Sequence, residues 1–304
     1  MNYLYTKETR SSFAIEGERP TENRASRFIA ALKAAPNFDP TLTEALVRLQ
    51  GGIVEPRYAA TGWRDHQNFV GETVAGYREQ VHFISPRPED VAQLMDGWVD
   101  LYRRTVLNDV DPVVAAALVA FAFVFIHPFE DGNGRIHRFL IHHVLARTGF
   151  SPPTVIFPVS AAIVRDKQSY DGALEDFSGP IAEFIDWSWT EDQDLVVKNE
   201  TVDLYRYFDA TRLVEYLYDR VADTVRQDLR EELGFVTVFD RAMNAMRAVV
   251  DMPDRRASLF VRLCMQNGGR LSATKRKHFT ELADGEIERL ELAVRRAIEA
   301  PLPP

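Results

Sequence analysis

Residues 126–140 read IHPFEDGNGRIHRFL, and they close an unbroken apolar run over residues 113–126. A run that is apolar all round predicts a helix buried on every side. Asp111 stands as its N-cap and Pro112 at its first position. Pro128 disfavours helix in the residue before it, so the helix should end near Ile126. Gly132 and Gly134 then permit backbone angles that other residues resist. A second helix is expected from about Asn133 to Arg147, with Ile136, Phe139, Leu140 and Val144 on its apolar face and Gly149 at its end. The free N–H groups and positive dipole end of that helix make a site for an anion. Arg135 and Arg138 lie three apart, near one face of the first turn. Cations are disfavoured there, and a polyanion between them would account for the placement. Asp131 is a hard oxygen ligand suited to Mg²⁺ bridging phosphates. His127 is the side chain here whose pKa suits proton removal near neutrality. A capped helix with solvated arginines would explain any one of these residues but not the whole set in so short a stretch.

The 304-residue chain is 46% hydrophobic and 27% charged, ordinary globular composition for one large or two smaller domains. Its formal net charge of −9 argues against general nucleic-acid binding. Cys264 is the only cysteine, which excludes an intrachain disulfide and suits a reducing compartment. MNYLYTKETR at the start has no apolar signal-peptide core, and the longest apolar run falls short of the roughly 18 residues that suggest a membrane span. A cytoplasmic protein without a membrane partner is expected.

Helical patterns dominate the remainder. RASRFIAALKAA and PTLTEALVRLQGG predict short amphipathic helices, the second closed by Gly51 and Gly52. RPEDVAQLMDGWVDLYRR repeats Val91, Leu94, Met95, Trp98 and Leu101 at helical spacing. The strand-like place is HQNFVGETVAGYREQVHFISP, read as a hairpin. Beyond residue 178 the pattern predicts two or three long helices. A domain boundary is set between residues 204 and 205, giving domains 1–204 and 205–304, the second helical and without a chemical motif.

HPFEDGNGRIHR resembles the signature of the Fic family, His-Pro-Phe-x-(Asp/Glu)-Gly-Asn-Gly-Arg-x-x-Arg, at every fixed position. The resemblance implies an all-α bundle with a small β-hairpin flap over roughly residues 1–200. It also implies transfer of AMP from ATP to a Ser, Thr or Tyr hydroxyl of a target protein. By resemblance His127 is the general base, Asp131 holds Mg²⁺, and Gly132, Asn133 and Gly134 form the anion hole. Arg135 would steady the β-phosphate and Arg138 the γ-phosphate, while Phe129 pins the loop. Val81, His82 and Phe83 would be the flap edge that docks the target by strand addition. DKQSYDGALEDFS is similar to a family segment near the adenine, which assigns Tyr170 to ATP, although Ser178 stands where asparagine is common. Self-modification and a homodimer are left open, since the sequence names neither the target protein nor the oligomer. Gly134 speaks against the kinase-like relatives, which carry lysine there. A related transferase, an enzyme removing AMP, or a regulatory binding protein with an idle site are the alternatives.

SSFAIEGE carries a second motif. Ser12 and Glu16 are one helical turn apart and Gly17 is a natural helix stop, so Glu16 sits where a carboxylate opposes the dipole. Taken alone, it is a solvated Glu on a short helix. Beside the signature, it resembles the family's inhibitory motif, (Ser/Thr)-x-x-x-Glu-(Gly/Asn), whose carboxylate pairs with the second arginine, here Arg138. His137, His142 and His143 are read as surface or packing residues, since no converging partners suggest a metal. SATKRKHF, residues 272–279, is read as a solvated helix. Fic proteins often carry a winged-helix domain at this end, but no wing is evident here.

Overall fold

The computed structural model describes residues 2–74, 78–152 and 155–301. They divide into two compact units, Met1–Asp228 and Leu229–Pro304. In the first, α5 (Pro112–Ile126) is the central rod. Its side chains are buried nearly throughout, as an apolar run without a polar face demands. Asp111 caps it, accepting hydrogen bonds from the N–H groups of Val113 and Val114. α4 (Pro88–Val106) packs on one side through Val91, Leu94, Met95 and Trp98, and the Trp98 indole donates to the Val119 carbonyl at 2.8 Å. α6 (Asn133–Arg147) lies along α5 and is itself almost wholly buried. Around these two run α1 (Asn2–Ile15), α2 (Glu22–Ala34), α3 (Thr43–Ile53), α7 (Val159–Arg165) and α8 (Lys167–Ala182).

The expected hairpin is present, as β1 (Phe69–Val74) and β2 (Arg78–Ile84) paired antiparallel. Val70 faces Phe83 and Gly71 faces Val81, so the register skips His82, a β-bulge.

Two expectations about local structure need correction. Gly51 and Gly52 do not close their helix. α3 runs through both to Ile53, because Ile53 is buried and its packing outweighs the local cost of glycine. The segment beyond residue 178 is not helical throughout. β3 (Trp187–Trp189) and β4 (Leu195–Val197) form a second antiparallel hairpin. Aromatic and β-branched side chains favour the pleated form there, and Gln193 takes the left-handed conformation in the connecting turn. The compact units divide at residues 228 and 229, beyond the boundary set at residue 204. After the short α9 (Val202–Arg206), α10 (Thr211–Asp223) packs on α5 and α8, and the first unit ends within a π-helical turn over Thr224–Leu229. Asp228 of that turn is fully buried and pairs with Lys7 of α1 (2.6 Å) and Arg165 of α7 (2.9 Å). Ion pairs of this kind fasten the segment to the first unit, and sequence spacing does not reveal them.

The second unit comprises α11 (Arg230–Arg247), α12 (Asp254–Met265), α13 (Ala273–Arg276) and α14 (Asp284–Glu299) around Met246, Phe260, Cys264, Phe279, Leu290 and Val294. It holds no strand among its described residues. The basic stretch before α14 is not simply solvated, since Phe279 is in this core and Arg276 pairs with the buried Glu291. No helix among the described residues is long and apolar enough to cross a membrane.

Removing the α5 cap tests the account of the central rod. Asp111→Ala should lower the unfolding free energy by about 1 kcal/mol, read from urea denaturation of the whole chain. An unchanged midpoint and slope would show that burial alone holds the start of α5.

Candidate active site

The site is built where α5 ends and α6 begins. His127 follows α5 in the left-handed conformation (φ +52°), a placement costing roughly 1–3 kcal/mol for a residue other than glycine. The surroundings hold it there. Arg64, a buried residue that sequence reading passed over, donates through Nε to the His127 carbonyl (2.8 Å), and its backbone N–H donates to the Pro128 carbonyl (2.9 Å). The remaining guanidinium nitrogens of Arg64 reach the carbonyls of His66 and Pro86. Arginine in a loop carries no signature by itself, so only the fold identifies it.

The His127 Nδ1 lies 3.0 Å from the Val124 carbonyl. A carbonyl can only accept, so Nδ1 carries the proton and Nε2 keeps its lone pair. Burial brings the pKa of the imidazole down to about 4, which keeps the ring neutral near pH 7. The chain then turns through Pro128 and Phe129. Phe129 is fully buried, and its N–H and carbonyl are both bonded by the Asn133 side chain (3.0 and 2.7 Å). Asn133 therefore spends its amide on the loop, leaving only its backbone N–H for an anion. Gly132 takes φ +94°, and a Cβ there would press on Val54.

Arg138 is buried, with 1% of its surface exposed. Its Nε donates to the Ser12 hydroxyl (2.9 Å), and its Nη2 donates to the Ser12 carbonyl (2.8 Å) and the Glu16 carboxylate (2.7 Å). Burial alone would push the Glu16 carboxyl up, but the Arg138 guanidinium, with Arg135 and His127 beyond it, brings it below its ordinary value. The Glu16 carboxylate also lies directly over Gly134, where any Cβ would collide with it. It occupies the start of α6, where the sequence predicts an anion. Gly17 makes this approach possible. At φ +71° it closes α1 in a Schellman motif, with the N–H groups of Glu18 and Gly17 bonded to the carbonyls of Phe13 and Ala14.

Two further contacts continue the seam between α1 and α6. The buried Glu8 carboxylate meets His142 Nε2 (2.7 Å) and accepts from the N–H and hydroxyl of Ser160. Glu8, Ser12 and Glu16 thus form one stripe on α1, facing Arg138 and His142 on α6. His137 and His143 are buried too, and their Nδ1 atoms lie against the carbonyls of Ala120 and Ala35. None of the three histidines is a surface residue. Among the described residues no group of three or more His, Cys, Asp or Glu side chains could hold a metal.

Arg135 is equally buried and bonds Asp131 (2.5 Å) and Glu18 (3.2 Å). The Asp131 side chain keeps 40% of its surface exposed. Tyr170 is buried on α8 close to Arg138, and burial raises its phenol to about 12. It does not line the open groove beside His127. That groove, about 400 Å³, runs between β2 and α8 and is edged by His82, Phe83, Lys167, Asp171, Glu175 and Ser178. Val81 and Phe83 of the flap are half-buried and His82 is exposed. The structure therefore gathers His127, Asp131, Arg135, Arg138, Ser12 and Glu16 at one place, with the flap at its side and Tyr170 behind it.

Residues 40–145, which hold the histidine, the glycine turn and both arginines, match the model of the Fic/DOC family. The chain carries a Fic domain. It is 39% identical over 170 residues to Protein adenylyltransferase Fic of Nematostella vectensis, covering 50% of this chain and 40% of that protein. The protein of the same name from Drosophila mojavensis is 42% identical over 82 residues, 26% of this chain and 16% of that one. Protein adenylyltransferase fic-1 of Caenorhabditis elegans is 38% identical over 77 residues, 25% of this chain and 15% of that one. The chain spans less than half the length of these curated relatives. In fold it is similar to a Fic family protein from Desulfovibrio desulfuricans G20, with a TM-score of 0.52 and 20% identity over 93% of this chain and 75% of that one. The Fic domain thus includes α3 to α6 and the flap, while α1, which supplies Glu16, lies outside the matched span.

The buried imidazoles of this domain give a pH dependence. His127, His137 and His143 have pKa values lowered by burial from 6.5 to about 4, about 3 and about 4. The unfolded chain therefore takes up protons first as pH falls. Stability should be full above about pH 6.5 and decline from there toward pH 4, read from urea midpoints. An unchanged midpoint between pH 7 and 5 would mean that these rings are solvated.

Proposed function

We propose that the chain transfers AMP from ATP to a serine, threonine or tyrosine hydroxyl of a target protein, itself included, under restraint by Glu16. The observation that carries this reading is the neutral His127 ring, with its Nε2 lone pair free beside a helix start built for an anion. In the proposed reaction Nε2 takes the acceptor's proton while the acceptor oxygen attacks the α-phosphorus. The bond from that phosphorus to the bridging oxygen breaks, and pyrophosphate leaves. The N–H groups of Gly132, Asn133 and Gly134, with Arg135 and Arg138, oppose the charge that develops.

Asp131 suits Mg²⁺. It is a single half-exposed carboxylate, and Mg²⁺ is usually held by one or two carboxylates with substrate phosphates and water completing its shell. The ion would supply neutralising charge on the phosphates. Tyr170 is read as a brace behind Arg138. Val81, His82 and Phe83 are read as the edge that receives an extended target segment, since the register with β1 skips His82. The names of the relatives matched over the Fic domain support an adenylyl transfer.

Restraint follows from competition. Glu16 sits on Arg138 and over Gly134, where the γ-phosphate is expected, and both anions cannot occupy that place. Incubation with α-labelled ATP and Mg²⁺ tests the reading. Glu16→Gly should raise label incorporation, self-modification included. Adding His127→Ala to that variant should lower it about 10²–10⁴-fold, the usual worth of a positioned general base. Asp131→Ala should lower it far more than Glu130→Ala. Failure of Glu16→Gly to incorporate more label than wild type, at saturating ATP, would remove the inhibitory assignment; equal loss in the two acidic variants would remove the metal assignment.

A further inference from the structure

Glu16 is not the only carboxylate that the Schellman turn delivers to the arginines. Gly17 reverses the chain, and Glu18 returns to Arg135 with its two oxygens 3.2 and 3.3 Å from Nη1. The same Glu18 carboxylate accepts from Arg24 Nη2 at 2.9 Å. Arg24 is anchored independently, since its Nε and Nη2 both donate to the Ile53 carbonyl at the end of α3 (3.2 and 3.0 Å). Both guanidiniums also lie over the fully buried Phe13 ring, Arg24 at 5.0 Å and Arg135 at 5.3 Å from its centre. Phe13 thus fixes the two cations side by side, and one carboxylate is shared between them.

We propose that Glu18 is a second restraining carboxylate, competing with the nucleotide's phosphates for Arg135 and transferring to Arg24 when they bind. The inference rests on the proposed reading of Arg135 as a phosphate ligand. Three observations carry it. Arg135 is buried, and the partners it has are acceptors, Asp131 and Glu18. A phosphate oxygen can take the place of one of them without leaving the cation bare. Glu18 is the one with somewhere else to go, since its carboxylate already has a second cationic partner in Arg24, whereas Asp131 has Arg135 alone among the ion pairs of the described residues. Leaving Arg135 would not strand its charge, because Arg24 is held in place by Ile53 and Phe13 whether or not a nucleotide is bound. Glu16 and Glu18 would therefore restrain different phosphates through different arginines, from either side of one glycine.

The shared carboxylate predicts opposite effects from its two neighbours. ATP affinity would be measured calorimetrically with Mg²⁺, in a His127→Ala background that prevents turnover. Glu18→Gln removes the charge from Arg135 and should tighten ATP binding by roughly threefold to tenfold, a range suited to a charge-assisted bond at a partly exposed carboxylate. Arg24→Met removes the alternative partner, leaves Glu18 on Arg135 alone, and should weaken ATP binding by a similar factor. Opposite signs cannot arise from a general loss of structure, which would weaken binding in both. Tightening by Glu16→Gly but not by Glu18→Gln would overturn the proposal and leave Glu18 as a brace for Arg135. Absence of ATP binding in every variant, Glu16→Gly included, would overturn the nucleotide reading itself, and this inference with it.

Discussion

The guanidinium of Arg138 is the constraint around which the first unit is organised. It is a permanent charge with almost no exposed surface, and withdrawing such a charge from water costs several kcal/mol unless it is paired and hydrogen-bonded. It cannot find its partners on α6, where it opposes the helix dipole. They come from α1, as the Ser12 hydroxyl, the Ser12 carbonyl and the Glu16 carboxylate. That requirement fixes the helical phase of α1, because Glu8, Ser12 and Glu16 must all face α6. The Glu8–His142 contact and the Schellman turn at Gly17 then follow on the same face. The start of α6 favours an anion, and here the Glu16 carboxylate supplies it.

The same economy appears at His127. Its neutral ring, its tautomer and its left-handed backbone are all consequences of ending a wholly buried helix at a His-Pro step. α5 has no polar face, so the first polar side chain after it is desolvated at once. The Val124 carbonyl, freed because the helix cannot continue, takes the Nδ1 proton. Arg64 binds the next carbonyls and keeps the strained turn in place. A chemically useful imidazole thus emerges from the termination of a structural element, and the flap and α8 leave one groove open beside it.

Much of this was legible in the linear order of residues because the interactions concerned are local. The capping of α5 by Asp111, its end at Ile126, the span of α6 and the β1–β2 hairpin depend on neighbours a few positions apart. Where tertiary packing competes with local preference, the reading failed. Gly51 and Gly52 suggest a helix end, yet the burial of Ile53 carries α3 through them. Trp187 and Trp189 stand in a segment with helical flanks, and only their pairing with residues 195–197 makes them a strand. His137, His142 and His143 look alike in sequence, but each is buried against a different partner, the Ala120 carbonyl, Glu8 and the Ala35 carbonyl.

The sequence by itself determined the chemistry-bearing turn between α5 and α6. Proline, two glycines and an asparagine whose amide bonds the Phe129 backbone set its conformation through interactions spanning only a few residues, and the histidine, aspartate and arginines are carried along by that backbone. The tertiary structure alone decided what those side chains touch. Glu16 and Arg138 are separated by most of the first unit's length in sequence, and so are Glu18 and Arg135, or Lys7 and Asp228. No periodicity connects such pairs. They meet where one member of each pair is withdrawn from water, because a buried charge needs a partner.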